Sequence, residues 1–283
     1  MAGIRVVTDS AADIPEKLVV KHGIAVVPLD VRLGQWGPDE MRSIDPAEFW
    51  RRCAITNTLP ETSAPSPGAF AESFSKAADE GCAGVVCLTL SADLSSTYQA
   101  ACAGAEEVRE KIEVRVVDTR TVTLGQAMVV LEAAEVAGAT GDLAATEAAA
   151  RLVVPRIRVF GALDTLDNAR KGGRIGAAKA LMGSLLSIKP IIEIAGGAHD
   201  ESRQRTRAGS LEYLVNKLRQ AGPIDGLAIA HSAAPDLEMF LGMLDGLYPR
   251  EDILVNYIGP VIGTHAGPRC IGLCYRLAET TGS

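Results

Sequence analysis

The sequence predicts an α/β protein whose first half is a mainly parallel sheet with helices on both faces. Three observations predict it. Apolar runs of Val, Ile and Leu at residues 4–7, 84–90 and 114–117 have the composition of strands buried on both faces. Each run gives way to a cluster of Thr, Ser and Asp, which is turn chemistry. Helical stretches follow the turns, and strands that alternate with helices build parallel sheets.

Taken in order, residues 4–7 form the first strand and 15–22 the first helix, with Asp13 as N-cap and Pro15 in the first turn. Residues 24–33 alternate apolar and polar side chains and read as an extended ribbon, which Gly34 and Pro38 break. Ser43-Ile44-Asp45-Pro46 opens a helix running to about Arg52. Residues 58–68 carry Pro60, Pro65 and Pro67 and form a stiff connector into a helix over 69–80. The strand at 84–90 leads, through Ser95, Ser96 and Thr97, into an Ala-rich helix. After the strand at 114–117 come helices over 123–138 and 144–153.

The character changes near Val154 and Pro155. A strand at 156–162 precedes Gly172-Gly173, which ends a helix. A small-residue helix over 176–186, a strand over 187–194 and a turn at Gly196-Gly197 follow. Arg203, Arg205 and Arg207 alternate; if extended, they form a basic stripe on one face. Helices over 211–219 and 236–247 and strands at 227–230, 253–257 and 270–275 complete the chain.

The 283 residues suffice for two modest domains or one large one. Aromatics make up only 4%, so the interior is mostly aliphatic. A net charge of -7 argues against general nucleic-acid binding. The chain opens directly on a strand pattern rather than a signal peptide, and no apolar run approaches the ~18 residues of a membrane span. The six cysteines form no CxxC pair, and several sit in apolar runs. Reduced thiols in a cytoplasmic protein are therefore expected, and a zinc site is not.

The residues that can carry chemistry lie in the turns. A helix opening just past the strand at 84–90 points unpaired N–H groups and a positive dipole end at its entrance, where Ser95, Ser96 and Thr97 add hydroxyls. That spot either holds an anionic oxygen or is a plain helix cap. Thr62 and Ser63 sit in the middle of the Pro-rich connector. His265 stands beside Thr264 in a loop framed by Gly259, Pro260, Gly267 and Pro268. A phosphate-binding loop, a GxGxxG fingerprint, a GxSxG elbow and an HExxH pair are all missing. Ser95 with His265, backed by Asp9 or Asp118, is a conceivable nucleophile and base, as in an acyl hydrolase or acyltransferase.

These stretches together resemble one family. Thr8-Asp9-Ser10-Ala11-Ala12-Asp13-Ile14 resembles the opening TDSxxDL of the DegV family. Leu94-Ser95-Ser96-Thr97-Tyr98-Gln99-Ala100-Ala101 is similar to its LSGTYQSA segment, and Val117-Asp118-Thr119-Arg120 to its VxDS turn. Residues 166–190 contain its KGGRI and LLxIKP pieces, and residues 259–268 resemble its IGPVIGTHxGPG loop. The motifs run from end to end of the chain, in order.

The resemblance implies two α/β domains, here 1–154 and 155–283, with a small β element inserted at about 24–50 and a ligand tunnel between the domains. It implies a bacterial fatty-acid-binding protein rather than an enzyme. The better understood members are the acyl-carrying subunit of a two-part fatty acid kinase, whose separate kinase subunit phosphorylates the carboxylate to an acyl phosphate. Carried over by motif, the carboxylate is held by Thr62, Ser95 and His265, helped by the backbone N–H of Ser96. Arg174, Arg203 and Arg205 correspond to the surface offered to the kinase. No metal or cofactor is implied beyond the bound long-chain acid; a transient contact with a membrane surface is allowed, and nucleic acid has no part. A lipid-sensing regulator without a kinase is a further reading of the same features. Two positions depart from the family pattern, since Ser96 and Arg269 replace glycines. Burial of each CH2 gives roughly 0.8 kcal/mol, so a long acyl chain offers on the order of 10 kcal/mol of gross transfer energy. A membrane offers a similar gain, so the head group must also be bound well.

Overall fold

The computed structural model of the chain describes residues 3–42, 44–56, 58–176 and 188–279. The helix expected over 176–186 lies outside these residues except for Gly176. The first half runs β1 (Ile4–Asp9), α1 (Glu16–His22), β2 (Ala25–Val27), β3 (Asp30–Arg32), α2 (Pro38–Met41), α3 (Pro46–Thr56), β4 (Glu61–Ser63), α4 (Pro67–Asp79), β5 (Gly84–Thr89), α5 (Thr97–Glu107), β6 (Val114–Asp118), α6 (Thr123–Thr140) and α7 (Leu143–Val153). The second half runs β7 (Ile157–Ala162), α8 (Asp167–Lys171), β8 (Lys189–Ala195), β9 (Gly197–Gln204), α9 (Arg207–Gln220), β10 (Ile224–His231), α10 (Leu237–Met243), β11 (Leu254–Tyr257), α11 (Pro260–Ala266) and β12 (Ile271–Leu277).

The first sheet has the order β2-β1-β5-β6, and every pair in it is parallel. β5 is buried along its whole length, as its continuous apolar run requires. The second sheet has the order β11-β10-β12-β7-β8-β9; only β10 and β11 pair in parallel. Its two faces sort by the period of two. Phe160, Ile229 and Leu273 face a core shared with α9 and α10. Val159, Ala230 and Cys274 face a core shared with α6.

α6 is the centre of the molecule. Its first half is buried almost all round, and full exposure is confined to Glu135 and residues 138–140. Leu124, Val129 and Val130 pack in one cluster with Val86 and Leu88 of the first sheet and Val159 of the second. The turn between β8 and β9 ties the two sheets together through buried polar groups. Ser91 Oγ donates to Gly196 O at 2.6 Å, and Gly196 N donates to Arg120 O at 2.7 Å.

Three local readings are corrected. The ribbon over 24–33 splits at Pro28, which has no N–H for a ladder; β2 joins β1 in parallel, while β3 pairs antiparallel with β4. The Pro-rich connector therefore contains a strand, with Thr62 opposite Val31. Asp13 does not cap α1. Its backbone is left-handed at φ 51°, and Pro15 takes the N-cap position. The expected extended stripe does not form: β9 ends at Gln204, Arg205 lies in the bend after it, and Arg207 opens α9 and pairs with Asp236 through hydrogen bonds of 2.7 and 2.9 Å.

Candidate functional site

Gly161 of β7 and Gly272 of β12 stand opposite each other in register. Two neighbouring strands thus lack side chains at the same level, and a cavity opens beside them. Open space at its mouth included, it encloses about 910 Å³ that no atom fills. Its wall is mainly aliphatic: Val159, Ile192 and Ile194 come from the second sheet, Val122 from the entry to α6, Val261 from α11 and Leu94 from the loop after β5.

Polar groups reach the cavity at Thr62, Ser95, Arg174 and His265. Thr62 Oγ1 and His265 Nε2 lie 2.9 Å apart, although 203 residues separate them in the chain. The pairing of β3 with β4 positions Thr62. His265 sits on a short helix, not in the expected loop. Gly259 and Pro260 are the N-cap and first residue of α11, and Gly267 (φ 81°) ends it. Asn168 Nδ2 donates to Thr264 O at 3.0 Å, fastening α8 to α11. Gly172 then passes so close to the imidazole that a Cβ there would overlap it. Burial, reinforced by the charge of Arg174, lowers the His265 pKa to about 4. The ring is therefore neutral near pH 7, and its buried Nδ1 has no hydrogen-bond partner among the described residues.

Ser95 stands at the entrance of α5. Its Oγ accepts from the Thr97 N–H at 3.3 Å and shares a hydrogen bond of 2.8 Å with Thr97 Oγ1. It therefore combines helix capping with a place in the cavity wall. Ser96 is exposed and is not part of that wall. Its φ of −75° is ordinary for any residue, so serine replaces the family glycine there without backbone strain. Arg269 is the real departure. It adopts φ 62°, a left-handed conformation that favours glycine, and its guanidinium pairs with Asp164 at 3.1 Å rather than with the cavity.

Arg174 occupies a position between the two roles considered for it. It is exposed, yet it lines the cavity, donating to Gly172 O at 2.8 Å and to Leu94 O at 3.4 Å. It thus bridges the neighbour of Ser95 and the residue beneath His265. Arg203 and Arg205 are exposed and do not line the cavity; Arg203 pairs with Asp200 at 2.9 Å.

A Ser–His–Asp arrangement is not assembled among the described residues. His265 Nε2 meets Thr62, and Ser95 Oγ meets Thr97. Asp9 accepts from Ala11 N, Leu90 N and Gln126 Nε2, while Asp118 accepts from Ala92 N and Arg120 N. Sequence reasoning missed the paired glycines that open the cavity. An isolated glycine inside a strand pattern was the available signal.

The sequence model whose description reads "Uncharacterised protein, DegV family" matches residues 3–277. A DegV domain-containing protein of Streptomyces coelicolor is 37% identical over 278 residues, covering 95% of this chain and 97% of its own. The solved DegV family protein of Thermus thermophilus, named for fatty acid binding, superposes with a TM-score of 0.88 at 32% identity, covering 98% of this chain and 100% of that one. DegV of Bacillus subtilis, called a fatty acid binding protein, gives a TM-score of 0.87 at 27% identity with the same coverage. Among the described residues, no helix is long and apolar enough to cross a membrane.

Proposed function

This chain belongs to the DegV family, and on that premise we propose that it binds a long-chain fatty acid and presents its carboxylate to a separate kinase subunit. The observation that carries the reading is an aliphatic cavity whose wall holds the Thr62–His265 pair. The acyl tail lies along the space left by Gly161 and Gly272. The carboxylate lies where Thr62, Ser95 and His265 meet the cavity.

The proton arrangement suits an anion. With the neutral imidazole donating from Nε2 to Thr62 Oγ1, the Thr62 hydroxyl hydrogen is free to donate to a carboxylate oxygen. Thr97 Oγ1 donating to Ser95 Oγ frees the Ser95 hydroxyl in the same way. Arg174 adds the positive charge that the neutral histidine lacks, which strengthens each hydrogen bond to the anion. An exposed Arg174 also marks where the head group approaches the surface, within reach of a phosphorylating partner. Arg203 and Arg205 extend the basic surface offered to that partner.

Native mass spectrometry of freshly purified protein tests the binding. A bound mass of a C14 to C18 acid is expected. Protein that is empty and ignores added oleate and palmitate contradicts the reading.

A further inference from the structure

We propose that Asp13 is a positioning residue for the head-group site: its carboxylate bolts the start of α11 to the turn after β1 and thereby sets where His265 stands. The inference rests on the carboxylate-binding reading above, because His265 matters only if it belongs to the head-group site.

Asp13 is joined to three separate parts of the chain. Its Oδ1 accepts from the Gly259 N–H at 3.0 Å, at the N-cap of α11. Its Oδ2 accepts from Thr123 Oγ1 at 2.7 Å, at the first residue of α6. Its backbone carbonyl accepts from Asn256 Nδ2 at 2.7 Å, on β11. Both Asp13 (φ 51°) and Thr123 (φ 50°) hold left-handed backbones, and such strain persists only where the surroundings over-determine it. Among the described residues, no basic side chain offsets the Asp13 carboxylate. The group is held instead by these hydrogen bonds, which join segments far apart in the chain.

Gly259 supplies an independent argument. Its φ of −67° suits any amino acid, so the backbone does not demand glycine. A Cβ at this position would lie 2.6 Å from Asp13 Oδ1. Glycine therefore lets the carboxylate approach, and a Cβ here would displace it. From Gly259 the helix runs rigidly through Val261 and Ile262, which line the cavity, to His265. Loss of the bolt frees the start of this helix, and a displaced His265 no longer holds the Thr62 hydroxyl.

The test uses fluorescence titration with cis-parinaric acid and NMR titration of the His265 ring, assigned by its loss in His265→Ala. Asp13→Ala should weaken binding about tenfold and move the His265 titration toward that of an ordinary histidine. Asp13→Asn keeps an acceptor at Oδ1 and should retain both properties. The double variant Asp13→Ala/His265→Ala should bind no more weakly than His265→Ala alone, because the two residues act through one another. Additive losses, or an unchanged His265 titration in Asp13→Ala, would overturn the proposal. Should Asp13→Ala fail to fold, Gly259→Ala displaces the carboxylate with a permitted backbone and must show the same two effects. Wild-type binding by His265→Ala would refute the head-group reading instead, and the role of Asp13 in it falls with that reading even where Asp13→Ala moves the His265 titration.

Discussion

A neutral histidine holding an anion needs help from its neighbours, and the arrangement around His265 supplies it. The ring orders the Thr62 hydroxyl, Ser95 brings a second hydroxyl and Arg174 brings the charge. Thr62→Val removes the hydroxyl with little change in shape and should weaken fatty-acid binding by ~1–3 kcal/mol in a displacement titration. Ser95→Ala should lose a similar amount, and affinities equal to wild type would contradict the account. Two other groups govern the pH response of the fold. Burial raises Asp9 to about 6 and Asp13 to about 7 from an ordinary 3.8. Their stabilising contribution is full below 3.8 and is lost as pH climbs through those values. His265 acts with the opposite sign: its contribution is present above 6.5 and is lost as pH falls toward about 4. Asp13→Asn removes the Asp13 loss, so Tm of the variant minus that of wild type should be larger at pH 8 than at pH 5. An equal difference at both pH values would contradict a raised Asp13. Motifs singled out Thr62, Ser95 and His265, which all line the cavity. Asp13 was misread as a local cap, because its partners Thr123 and Gly259 are 110 and 246 residues away and leave no mark on the neighbouring sequence.

The elements differ in legibility according to their length and their partners. Long helices and buried strands follow from hydrophobic patterning, which is why β5, α6 and α9 fall near their expected places. α11 has only seven residues, too few for a period to show, and its Gly and Pro ends read as a loop although they are start and stop signals. β4 exists because β3 pairs with it, a contact between distant segments that local propensity does not encode. The paired glycines of β7 and β12 make an element-scale prediction. A Cβ at Gly272 would meet Ala230 Cβ at an ordinary 3.4 Å, so the strand tolerates a side chain there. Gly272→Leu then projects into the cavity. Offered an equimolar mixture of C12 to C18 acids, this variant should retain shorter chains than wild type by native mass spectrometry. An unchanged distribution would mean that the tail does not pass over these glycines.

At the scale of the whole molecule, α6 joins the two sheets through one apolar core, while the buried tie at Gly196 and the polar bonds of Asp13 fix the cavity that lies between them. The mainly parallel first sheet was readable from alternating strands and helices. The expectation of a ligand between two α/β units came only from family resemblance, because no local pattern reports how two sheets face each other. The exposed arginines define the molecular-scale prediction. Arg205→Glu should leave fatty-acid binding intact and reduce phosphorylation of the bound acid by the proposed kinase partner. Equal loss of both activities would refute a docking role. Arg174→Glu should impair both, since that residue also lines the cavity.

The central claim is that the carboxylate of a fatty acid sits against Thr62 and His265. NMR of the protein loaded with oleate labelled with carbon-13 at the carboxyl carbon addresses it most directly. The account predicts one narrow bound carboxylate resonance, distinct from that of oleate in vesicles, which shifts in both Thr62→Val and His265→Ala. A bound resonance that neither substitution moves would contradict it.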